Sequence, residues 1–164
     1  MSFFQMPNPI AARRLFIGQS GLVLSGAAVA LLAGNEALAA KSGGANAKDV
    51  QILNTALGAE LEAIAAYQVG AESKLLQPPV LGLALTFQGH HKAHAALLGK
   101  TVEKLGGKAM LAKTAYKFPV DQLKSQADVL KFAAKLEQGA VSAYLGAVPL
   151  FANRDLAKAA ASIL

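Results

Sequence analysis

Glu60-Leu-Glu-Ala-Ile-Ala-Ala-Tyr67 and Glu137-Gln-Gly-Ala-Val-Ser-Ala-Tyr144 repeat one pair of residue types at one spacing of seven. Seven residues is close to two turns of an α-helix, so in each stretch the carboxyl and the phenol face the same way. The flanking residues make both stretches helical. From Asp49 to about Ser73, Val50, Leu53, Leu57, Leu61 and Ile64 recur at steps of three and four, the buried stripe of a long amphipathic helix, with Glu60 and Tyr67 beside it. Ser125-Gln-Ala-Asp128 is a capping-box-like start with Asp in place of Glu. Val129, Leu130, Phe132, Ala133, Leu136, Ala140, Tyr144 and Val148 carry that second helix to Pro149. The repeat predicts two related halves of an all-α bundle.

Between the two stretches, Gln77-Pro78-Pro79 is read as the end of the first helix, and another helix runs from near Val80 to Leu105, where Gly106-Gly107 supplies a left-handed stop. So short a link makes these two helices antiparallel neighbours. The intervening helix holds all three histidines, in Phe87-Gln-Gly-His90-His91-Lys-Ala-His94. His91 and His94 project from one face, and His90 points about 100° away. Two imidazoles so placed are half of a site for a first-row metal, usually completed by carboxylates from facing helices. The plainer reading is a pH-sensitive cluster on a helix surface. Periodicity stops between Lys108 and Lys124, where Tyr116, Phe118 and Pro119 read as anchors of an extended segment. A connection of this length suits a crossover between parallel second and third helices of a four-helix bundle. Leu150 to Arg154 is a turn, and Asp155 opens a fourth helix that is incomplete at Leu164.

Composition narrows the chemistry. With 164 residues and no cysteine, the chain is at most one ordinary domain and has no thiolate chemistry. Its hydrophobic content of 54% is rich in alanine and only 6% of residues are aromatic, a balance suited to close helix packing. The net charge of +6 comes from lysines read as solvated helix faces, without a basic run interleaved with aromatics, so no nucleic-acid partner is expected.

At the N-terminus, Arg13-Arg14-Leu-Phe-Ile17 precedes a weakly apolar run from Gly18 to Gly34 and the small-x-small triplet Ala37-Leu38-Ala39. This resembles a bacterial twin-arginine export signal, departing from it at Ala12, where Ser or Thr is usual. The run is too weakly hydrophobic for a permanent membrane span. The expected organisation is an export signal over residues 1–39, a flexible linker over 40–48 and a bundle domain over 49–164. The twin-arginine translocase would be the partner in export, the signal would be removed after Ala39, and the mature protein would be periplasmic.

Taken together, the paired Glu and Tyr positions, the histidine helix and the long crossover resemble the ferritin-like superfamily. In particular they resemble exported bacterial ferritin-like domain proteins, related to desiccation-related proteins. The resemblance implies two iron or manganese ions; zinc is a further candidate on the donor types alone. It makes Glu60 and Glu137 terminal carboxylate ligands, Tyr67 and Tyr144 their hydrogen-bond partners, and His94 the histidine of the first Glu-x-x-His. His91 stands where that motif has its bridging Glu, and a neutral imidazole does not bridge two metals. A single metal held by Glu60, His91, His94 and Glu137 is the chemically reasonable form, beside a site that has lost its metal. Applying the offsets of +31 and +34 to Glu137 gives positions 168 and 171, past Leu164, so the sequence is expected to be a fragment whose fourth helix continues. The expected function is exported metal binding, of an oxidase type that handles iron or oxygen species, in a chain that can form a homo-oligomer. The alternative is a non-catalytic bundle for desiccation-type stress protection or protein interaction.

Overall fold

Four α-helices and two single 3-10 turns make up the regular structure of a computed structural model that describes residues 45–163, with no strand among the described residues. The helices are α1 (Ala45–Glu72), α2 (Pro78–Lys104), α3 (Gln126–Ala147) and α4 (Arg154–Ala161), and the 3-10 turns are Val120–Gln122 and Val148–Leu150. Arg13, Arg14, Ala37 and Ala39 lie outside the described residues. No described helix is long and apolar enough to cross a membrane.

Helix α1 starts at Ala45, four residues before the position that hydrophobic periodicity suggests. Asp49 is therefore inside the helix rather than at its start. Its carboxylate is 1% exposed and accepts the backbone N–H groups of Ala152 and Asn153 at 2.8 and 2.9 Å, which ties α1 to the turn before α4. The prolines also act differently from the sequence reading. Helix α1 closes at a turn in which Lys74 has φ 60°, and Pro78 and Pro79 open α2, where their fixed φ fits and no N–H is needed. Gly106 is the expected left-handed stop, with φ 82°. Ser125 caps α3 by accepting the backbone N–H of Asp128, whose carboxylate accepts in return from the Ser125 hydroxyl at 2.7 Å.

The main core joins Ile52, Leu53 and Leu57 of α1, Leu98 and Val102 of α2, Tyr144 and Ala147 of α3, and Ala157 and Ala160 of α4. A smaller cluster of Ala66, Phe132 and Leu136 is covered by Phe118 and Leu123 of the connector. Phe118 meets Phe132 edge-on at 5.8 Å and Tyr116 stacks on Phe118 at 5.9 Å, so the aromatic residues of the connector are its anchors. A further clamp is Asn54, which donates to Lys108 O at 2.9 Å and accepts from Met110 N at 2.8 Å. Glu60 approaches His91, and Gln68 approaches Gln88, so α1 and α2 run antiparallel. Helices α1 and α3 are also antiparallel, since Tyr67 pairs with Glu137 and Glu60 with Tyr144. Helices α2 and α3 are consequently parallel and need the long connector between them.

Candidate metal centre

Three helices deliver the polar residues of the bundle's interior. Helix α1 contributes Glu60 and Tyr67, α2 contributes His91 and His94, and α3 contributes Glu137 and Tyr144, all six in one connected group. His91 lies between the two carboxylates. Its Nδ1 is 2.7 Å from Glu60 Oε2 and its Nε2 is 3.2 Å from Glu137 Oε1. The tyrosines cross over: Tyr67 donates to Glu137 Oε1 at 2.5 Å and Tyr144 donates to Glu60 Oε1 at 2.7 Å. Each phenol thus holds the carboxylate of the opposite helix.

Electrostatics follow from that packing. Burial disfavours a charged His91, but hydrogen bonds and the charges of Glu137 and Glu60 outweigh it and raise the pKa to about 9. At neutral pH in the metal-free protein His91 is an imidazolium donating to a carboxylate from each nitrogen. The same His91 bond, with help from Tyr67, holds Glu137 below the usual carboxylate range against the opposing effect of burial. Both phenols are pushed above the ordinary tyrosine range, Tyr67 by burial and then by Glu137, Tyr144 by burial and then by Glu60. They are donors at neutral pH, not anionic ligands.

Glu60, His91 and His94 each offer a ligand atom such that all three lie within 4.8 Å of one another, a group able to hold a metal ion. His94 Nδ1 is buried without a hydrogen-bond partner, 3.6 Å from Glu60 Oε1. A buried ring nitrogen left unsatisfied is costly unless something fills its lone pair or takes its proton. Its neighbours fit a cation: two imidazoles and a carboxylate are a normal donor set for iron, manganese or zinc. Glu137 reaches His91 through the other ring nitrogen, on the side away from Glu60. The two carboxylates also differ in setting, with side chains 5% exposed for Glu60 and 40% for Glu137. His90 is outside this group, exposed and tilted against Phe87.

Gln88 is absent from the sequence reading. It is buried one turn before His91, donates to Ile64 O at 3.0 Å and to Gln68 at 2.8 Å, and accepts from Lys92 at 2.8 Å. These bonds fix the face that α2 turns toward α1, and with it the direction of His91. Its signal in the sequence is a polar residue three before His91, on the same helix face.

The model of the ferritin-like domain family matches residues 48–164. The chain belongs to that family. No curated protein and no solved structure matches it.

Proposed function

We propose that this ferritin-like protein binds one divalent first-row metal ion through Glu60, His91 and His94, with Glu137 as the adjacent carboxylate. In this reading the protein is exported by the twin-arginine route and acts in the periplasm on iron or oxygen species. The observation that carries the metal assignment is the buried, unpartnered Nδ1 of His94 facing the Glu60 carboxylate. A redox-active ion bound there would supply electron transfer to or from oxygen species.

The chain's own residues have separable parts in that function. Glu60 offers negative charge from a nearly dry position, where it counts most. Tyr144 orients Glu60, and Tyr67 orients Glu137, leaving Glu60 Oε2 and the more exposed Glu137 side chain to face His91 and the solvent side. His91 must give up a proton before one of its nitrogens can act as a ligand. Having His91 where a carboxylate would bridge two ions favours one metal over two.

A second reading has its own support. Both nitrogens of His91 are already engaged by carboxylates, so the centre is largely self-satisfied without an ion. That arrangement suits a non-catalytic bundle of the stress-protection type. Metal analysis separates the two. Full-length protein folded in cells and purified without chelator should carry close to one equivalent of iron, manganese or zinc, lost in the E60A/H94A variant. Wild-type protein without metal would leave the non-catalytic reading.

A further inference from the structure

The connector between α2 and α3 holds most of the charge imbalance of the described chain. Residues 45–163 contain thirteen Lys and Arg against nine Asp and Glu, a net +4. Within residues 108–124, Lys108, Lys113, Lys117 and Lys124 face a single acid, Asp121, a net +3. The excess is therefore not spread over the helix faces, as the sequence alone suggests, but gathered in one segment of which all four lysines are exposed.

The same segment exposes large apolar side chains. Leu111 is 79% exposed and its neighbour Met110 45%. This is not a loose coil. Asn54 clamps the backbone at Lys108 and Met110, Tyr116 accepts the backbone N–H of Lys113 at 3.2 Å, and Phe118 is seated on Phe132. A held segment with an apolar tip flanked by cations has the chemistry of a peripheral membrane contact.

We infer that residues 108–124 dock the bundle reversibly on an anionic phospholipid surface, with lysines at the headgroup phosphates and Leu111 in the interfacial layer. A polyanion such as a nucleic acid fits less well. The aromatic rings that would have to stack on bases are already used, Tyr116 on Phe118 and Phe118 on Phe132. Each lysine near such a surface strengthens binding about fivefold, and the effect fades as salt screens it.

Co-sedimentation of the full chain with vesicles tests this, comparing pure phosphatidylcholine with vesicles containing about a third phosphatidylglycerol, at low salt. Binding is expected on the anionic vesicles alone. K113Q/K117Q should weaken it about twenty-five-fold, and L111S severalfold, with helix content by circular dichroism unchanged. All variants share residues 1–44, so any contribution from that region is common to them. Equal binding to neutral vesicles, or anionic binding that K113Q/K117Q does not change, would overturn the inference. So would an L111S variant that binds as wild type, since the contact would then be with charge alone.

Discussion

The Tyr67 hydroxyl donates to Glu137 on α3, not to Glu60 on its own helix. Tyr144 returns the bond to Glu60. The repeated spacing of seven explains the exchange. Glu and Tyr lie about 10.5 Å apart along each helix axis, and reversing one helix against the other places each carboxylate opposite the partner's phenol. The repeat therefore sets the register of α1 against α3.

Removing either phenol should destabilise the bundle, unequally. Tyr144→Phe strips a hydrogen bond from nearly dry Glu60 and should cost about 1.5–3 kcal/mol. Tyr67→Phe acts on the more exposed Glu137 and should cost about 1 kcal/mol. Urea denaturation of both variants checks the order.

Stability of the metal-free protein should depend on His91 ionisation. Its folded pKa, about 9, is above the ordinary 6.5, so its contribution is fully present below about pH 6.5 and lost as pH rises through about 9. Glu137 acts in the opposite sense in acid: its pKa is lowered, so its contribution is present above the unfolded value and lost as pH falls through the folded one. The unfolding free energy of metal-free wild type, from urea denaturation at each pH, should fall by on the order of 1–3 kcal/mol as pH rises from 6.5 to 9, and His91→Gln should flatten that limb.

Asp49 should matter more than a residue near a helix end usually does. Asp49→Ala leaves two backbone N–H groups at Ala152 and Asn153 without their acceptor and should cost about 2–4 kcal/mol. Amide hydrogen exchange should accelerate at those two positions first.

Two glycines under the connector should respond differently to alanine. At Gly58 a Cβ would sit 2.8 Å from Met110 Sδ, the end of a flexible and partly exposed side chain, so Gly58→Ala should cost under about 1 kcal/mol. At Gly107 it would sit 2.5 Å from Val50 Cγ1 and 3.2 Å from the Val102 carbonyl, neither free to move. Gly107→Ala should cost about 1–3 kcal/mol, read from thermal unfolding.

These residues also mark the limits of reading the sequence. Helical stripes, the Ser125 cap, the Gly106 stop and the anchoring role of Tyr116 and Phe118 are legible because their signals are local or periodic. Asp49 and Asn54 act on backbone groups 103 and 56 residues away, and nothing near them in the chain announces those partners. Pro78 and Pro79 are ambiguous in sequence, since proline suits both the stretch after one helix and the first turn of the next. That Glu60, Tyr67, His91, His94, Glu137 and Tyr144 face one another is legible from their spacing. That His91 uses both nitrogens, while His94 keeps one buried and unpartnered, depends on side-chain packing that spacing does not encode.

The most direct test of the metal assignment is titration of the chelator-treated full chain with cobalt(II), followed by visible absorption. Saturation is expected at about one equivalent, with ligand-field bands of a nitrogen and oxygen donor set. Those bands should disappear in H94A and persist in H90A. No saturable binding by wild type, or binding that H90A abolishes and H94A leaves intact, would contradict the assignment of Glu60, His91 and His94 as the metal centre.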